Sequence, residues 1–192
     1  MKVIVFAFVI GSTVLAAPRF ISRWLADAEA DRIPHSCEIL KEHANGILGA
    51  KITSEAEVEN KGTANERRCT LEKATIVGIN HLQLEYFLYR RSDGVAGIEM
   101  ARKGLQTRIQ TAKMFPSATK LTKVQSLGDE AYLLVGKLDE TSALTTTTTT
   151  VITRTVNVVI KVRATGRETN NSATQPALQR LAAEALAQIT TK

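Results

Sequence analysis

Aromatic residues are scarce in this chain, at 5% of 192 residues, so any core it builds is largely aliphatic. Its 44% hydrophobic content is enough to fill one. Cysteine is scarcer still. Cys37 and Cys69 are the two present, neither sits in a C-x-x-C pair, and no histidine near them has zinc-ligand spacing. The three histidines, His35, His43 and His81, include no pair at metal-ligand spacing. The chain also lacks G-x-S-x-G, H-E-x-x-H, a phosphate-binding P-loop and G-x-G-x-x-G. No catalytic, cofactor or metal residue is therefore assigned, and the sequence reads as a protein that is not an enzyme.

Long charge runs are missing too. The 25 basic and 19 acidic side chains give +6, but the basic ones are scattered, with only short pairs such as Arg67-Arg68, Arg90-Arg91 and Arg102-Lys103. Such pairs are ordinarily solvated faces, and no specific nucleic-acid surface is read from them. The overall positive balance leaves weak binding to a polyanion as one alternative. The 23% charged fraction and the absence of biased tails argue against global disorder, and the length fits one domain.

What is present begins with a leader. After Lys2, residues 3–17 carry no charge and are apolar except for Gly11, Ser12 and Thr13. Fifteen residues make a helix of about 22 Å, short of the roughly 30 Å hydrocarbon core, which fits a signal-peptide hydrophobic region better than a spanning helix. Val14-Leu15-Ala16 suits signal peptidase, placing cleavage between Ala16 and Ala17. Two alternatives stay open: residues 1–17 retained as a membrane anchor, or residues 3–10 buried as a first strand. Arg19 and Arg23 beyond the run work against simple positive-inside export. Cleavage after Ala16 removes Lys2 alone among charged side chains and leaves +5.

Residues 18–34 form a linker or an amphipathic helix. Phe20, Ile21, Trp24, Leu25 and Ala28 recur at helical spacing, to lie on a membrane surface or against the domain, and Pro34 ends the segment. Residues 35–192 then read as a single α+β domain. Cys37, Leu40, Ala44, Ile47 and Leu48 share a helical face that Gly49 closes, residues 50–65 read as a polar loop, and a strand runs through Arg68-Cys69-Thr70-Leu71. Over residues 80–91, Leu82, Leu84, Tyr86 and Leu88 alternate with Gln83, Glu85, Phe87 and Tyr89. The second set is a mixed polar and aromatic face and the candidate interaction surface, unless covering helices bury it.

Ser92-Asp93-Gly94 predicts a turn, with Asp93 capping a helix over 94–114 that Pro116 ends. Strands are expected near 119–126 and 130–137 around Leu127-Gly128-Asp129, then one long strand over 146–163. Its threonines at 145–150 are β-branched and suit extended chain. In it Val156, Val158, Ile160 and Val162 oppose Asn157, Lys161 and Arg163. A helix over 175–189 follows, with Pro176 in its first turn. Short connections favour a mainly antiparallel sheet, and strands with one polar face predict helices packed on the other face alone.

An even cysteine count behind a leader favours a Cys37–Cys69 disulfide in an exported protein, against two unrelated buried thiols in a cytoplasmic one. The order of features is a hydrophobic leader, Cys37-Glu38-Ile39-Leu40 opening a helix, a second cysteine in Arg68-Cys69-Thr70-Leu71, then Leu127-Gly128-Asp129-Glu130-Ala131-Tyr132, a long strand and a terminal helix. Over about residues 35–190 this resembles the actinobacterial domain of unknown function 3558 family of exported proteins and lipoproteins. The resemblance implies an α/β sandwich of the Mog1 and PsbP kind, a Cys37–Cys69 bridge and a place in the cell envelope, secreted or anchored to the membrane. It brings no reaction and no catalytic residues. Pro18 stands where many relatives carry a lipid-bearing cysteine, and Leu71 stands where an aromatic is common. The expected function is a non-catalytic binding or interaction module for an envelope protein or ligand, the alternative being an envelope enzyme whose site no motif reveals.

Overall fold

The computed structural model describes residues 29–48, 52–62, 64–75, 78–114, 120–137, 146–166 and 173–189. The cleavage site at Ala16 and Ala17, the leader and the apolar stripe from Phe20 to Ala28 lie outside the described residues.

The described chain is an α+β sandwich. Its elements are α1 (Ser36–Leu48), β1 (Ser54–Lys61), β2 (Asn65–Thr75), β3 (Gly78–Leu88), α2 (Gly97–Met114), β4 (Lys120–Val124), β5 (Glu130–Lys137), β6 (Thr147–Thr155), β7 (Val158–Gly166) and α3 (Thr174–Ala187). The strands form one sheet in the order β1-β2-β3-β7-β6-β5-β4, every neighbouring pair antiparallel.

Helices cover both faces of this sheet, where polar strand faces had predicted one. On one face α1 and α3 pack together over Leu71, Leu82, Leu84, Tyr86, Val151 and Ile160, contributing Leu40, Ala44, Leu178 and Leu181. On the other, α2 seats Ala101, Leu105 and Ile109 on Leu134, Ile152 and Val159 of β5, β6 and β7, and on Phe87 and Tyr89. Burying each large apolar side chain contributes about 1.5–3 kcal/mol, so a second apolar island on the far face is what holds α2 there. Because α2 lies over the β5-β6-β7 half and reaches only Phe87 of β3, no helix among the described residues covers the β1-β2 flank of its face.

Cys37, in the first turn of α1, is bonded to Cys69 in the middle of β2, at a sequence separation of 32. Both are buried, and the bridge ties the helical layer to the sheet.

Three other sequence expectations are corrected. Residues 54–61, expected in a loop, form the edge strand β1, exposed along its whole length. Its Ser-Glu-Ala-Glu-Val-Glu-Asn-Lys sequence hides the period of a strand behind polarity. Two of its glutamates find partners on α1: Lys41 Nζ lies 2.8 Å from Glu55, and Ser36 Oγ donates to Glu57 at 3.2 Å. A charged edge also discourages further strand pairing.

The single strand over 146–163 is a hairpin, β6 and β7, with Val156-Asn157 at its tip. Val156 adopts φ +48°, costly for a β-branched residue, so tertiary bonds hold the turn. Asn157 is buried; its Nδ2 donates to Ala30 O (3.0 Å) and Tyr89 O (2.8 Å), and its Oδ1 accepts from Ala30 N (2.8 Å). Asp129 Oδ2 accepts from Val156 N at 2.8 Å and from Arg154 Nη1 at 3.0 Å.

Finally, Asp93 does not cap α2. It sits at φ +50° beside Gly94 at φ +78° in a tight turn that pairs Ser92 with Val95. The helix starts three residues beyond Gly94, at Gly97, and Glu29 Oε1 accepts from Ile98 N at 3.3 Å, a carboxylate placed favourably at a helix N-terminus.

Candidate functional site

The half-covered face of the sheet leaves a groove between α2 and the β2-β3-β7 strands. Register explains its lining. Side chains on this face meet in three successive rungs: Arg68, Glu85 and Lys161; then Thr70, Gln83, Arg163 and Thr150; then Glu72, His81, Thr165 and Thr148. The wall opposite is α2, through Thr107, Arg108, Thr111 and Ala112. The main compartment is about 670 Å³, within the range of small-molecule sites. A second, of about 530 Å³, shares Glu66, Phe87, Thr107 and Arg108 with it and extends past Tyr89 to Val95 and Met100. A smaller one, about 280 Å³, lies over His81, Gln83 and Arg163.

Charges line the floor. Glu85 is 4% exposed. Its Oε1 lies 3.1 Å from Lys161 Nζ and 3.7 Å from Arg68 Nε, and Arg68 also pairs with Glu66. Desolvation by burial pulls Lys161 below the ordinary lysine value; Glu85 opposes this, while Arg163 and Arg68 add to it. Burying charges on a groove floor costs free energy, and the Glu85–Lys161 contact offsets it in part.

The four residues of the sequence-read surface fall along this groove in different ways. Gln83 is half-buried and donates from Nε2 to Thr70 Oγ1 at 3.2 Å. Glu85 is the buried acid of the floor. Phe87 and Tyr89 lie beneath α2, both buried. Arg108 of α2 lies with Cζ 3.3 Å from the Phe87 ring centroid and donates from Nη1 to Tyr89 Oη at 2.6 Å. Burial raises the Tyr89 pKa, with Arg108 acting against the shift. Gly104 lets the Tyr89 ring approach α2, because a Cβ there would overlap its hydroxyl.

Arg68, Arg108 and the pairing of Lys161 with Glu85 were missed in the sequence. Lys161-x-Arg163 did show its shared face by alternation. What sequence could not supply was the register that sets Arg68 across from Glu85 and Glu85 across from Lys161. The histidines each lie beside a glutamate: His35 by Glu57 (3.8 Å), His43 by Glu184 (2.6 Å) and His81 by Glu72 (3.2 Å). Among the described residues, the one group of three metal-type donors is Cys37, Glu55 and Cys69, and its sulfurs are bonded to each other. Among those residues no helix is long and apolar enough to cross a membrane.

Fold and groove together define an α+β sandwich domain with a charged, half-covered sheet face. No family model matches the chain, so the likeness to the domain of unknown function 3558 family stays a resemblance, and no curated protein matches it either. Among solved structures it is similar to the extracellular domain of PknH from Mycobacterium tuberculosis, with a TM-score of 0.52 and 8% identity, over 81% of this chain and 93% of that one. At that identity the likeness is one of fold.

Proposed function

We propose that this chain is an exported cell-envelope protein acting as a non-catalytic binding module, with the groove beside α2 as its binding site. The observation that carries the reading is the pairing of buried Glu85 with half-buried Lys161 on the floor of an open groove. A fold that needed only stability gains little from two desolvated charges there, and well-packed apolar residues are commonly as good or better. Support for export comes from the Cys37–Cys69 disulfide, a bond kept in oxidising compartments, from the leader in the sequence, and from a fold shared with an extracellular domain. The main compartment is lined by cations, carboxylates and threonine hydroxyls without a histidine or thiol, a set suited to holding a ligand.

A photo-crosslinking amino acid at Thr111, on the groove wall, tests this in cells that make the protein. The expected result is an adduct seen by intact mass in the envelope fraction from Thr111, and none from the exposed Glu42 on α1 across the sheet. Equal adducts at both positions, or none at either, overturn the reading. So does capture of a chemically altered ligand whose alteration disappears in Lys161→Gln.

A further inference from the structure

Resting on that reading, we infer that the groove takes an anionic ligand, through a phosphate or carboxylate group seated on Arg163, next to the Glu85-paired Lys161. The main compartment is lined by four cations, Arg68, Arg108, Lys161 and Arg163, and two carboxylates, Glu66 and Glu85. Both carboxylates are already engaged, Glu66 by Arg68 and Glu85 by Lys161 and Arg68. Arg108 has neutral partners, the Tyr89 hydroxyl, the Gly104 carbonyl and the Phe87 ring. Arg163 has the Thr165 hydroxyl, at 3.4 Å from its Nε. Among the described residues, two guanidinium charges thus face the groove side of the sheet without an acid. In a concave site of reduced dielectric, uncompensated charge of one sign draws the opposite sign in and keeps its own out.

The geometry favours a compact anion. Lys161 and Arg163 are two apart on β7, so their side chains rise from the same face about 7 Å apart at the backbone. Thr150 pairs across from Arg163 and Thr148 across from Thr165, which adds hydroxyl donors beside the cations. Planar guanidinium and rotatable hydroxyls both suit phosphate or carboxylate oxygens. A polynucleotide fits less well. Single strands are held by stacking on exposed rings, and here Phe87 and Tyr89 are 4% and 6% exposed.

The test is an amide-resolved NMR titration of the ¹⁵N-labelled, disulfide-intact protein with pyrophosphate, with citrate and with neutral maltotriose. Either anion is expected to shift Thr150, Lys161 and Arg163, with affinity that falls as salt rises. Arg163→Gln is expected to weaken it about tenfold or more, the loss of one charge-assisted contact, while Lys120→Gln on β4 leaves it unchanged. Response to pyrophosphate alone assigns the phosphate class, and response to citrate alone the carboxylate class. No shift from either anion, or equal affinity in Arg163→Gln, overturns the inference. If maltotriose alone shifts the groove, the anion is rejected and the binding reading stands. If no probe shifts it and Thr111 captures nothing, both fall.

Discussion

Tyr86 is the largest side chain that the core under α1 and α3 buries completely, and its hydroxyl donates to Ala185 O at a long 3.4 Å. Burial raises its pKa well above the ordinary 10.0. The unfolded chain therefore releases this proton first, and stability present below pH 10.0 is lost as pH rises through that value towards the folded one. Tyr89 and Tyr132 are raised too, by burial and by donation to Glu130 respectively, and act in the same direction. Lys161 acts oppositely: its lowered pKa makes stability rise with pH up to the ordinary lysine value of 10.5. Tyr86→Phe is expected to cost about 1 kcal/mol or less near neutrality, where one weak hydrogen bond is lost. Above 10.0 it should flatten the alkaline decline by up to about 1.4 kcal/mol per pH unit, one proton's worth. Urea denaturation of both proteins across that range decides it, and parallel curves would mean that Tyr86 ionises as freely as in water. At this scale the apolar half of β3 was legible, because Leu82, Leu84, Tyr86 and Leu88 alternate cleanly. The burial of Phe87 and Tyr89 was not, since it depends on a helix that follows them and folds back across the sheet.

Two glycines in helices show how much of an element's placement is tertiary. In α1, Gly46 is exposed and a Cβ there meets nothing within 4 Å. In α2, Gly104 lies against Tyr89, and a Cβ would strike the ring and hydroxyl. Helix propensity favours alanine over glycine by about 1 kcal/mol at either site. Gly46→Ala is therefore expected to stabilise by up to about that amount. Gly104→Ala must also displace a buried ring, an overpacking cost of about 1–3 kcal/mol, so its net effect is a loss of up to about 2 kcal/mol. It also separates Tyr89 from Arg108, which should shift the Tyr89 ring resonances. Thermal melts of the two variants that move the same way would contradict this seating of α2. The three helices were legible from their 3.6-residue periodicity. The strand β1 was not, because an edge strand has no buried face to write a pattern. Nor was the β6–β7 hairpin, because Val156-Asn157 lacks the glycine that usually announces a two-residue turn, its conformation being held by Asp129 and the backbone at Ala30 and Tyr89.

For the molecule as a whole, α+β class, antiparallel pairing and the cysteine pair were legible, since each follows from local pattern or from counting. Strand order was not: β7 separates β3 from β6, and that insertion is what brings Lys161 beside Glu85 and so creates the groove. The disulfide is the one covalent tie between the α1 layer and the sheet among the described residues. At a separation of 32 residues, the chain-entropy relation gives about 3–4 kcal/mol for its closure. Replacing both cysteines by serine is expected to lower the unfolding free energy by about that much, read by urea denaturation, with a steeper slope because the unfolded chain is no longer held by the loop. A loss well below 1 kcal/mol would mean that the unfolded chain keeps Cys37 and Cys69 close without the bond. The same bond reports the compartment. Protein from its own cells, alkylated without reduction and weighed intact, is expected to show neither thiol modified and a mass lacking residues 1–16. Alkylation of both cysteines on a full-length chain would remove the disulfide and the export reading together. Binding in the groove would then need a cytoplasmic ligand, because nothing in the register that builds the site depends on the compartment.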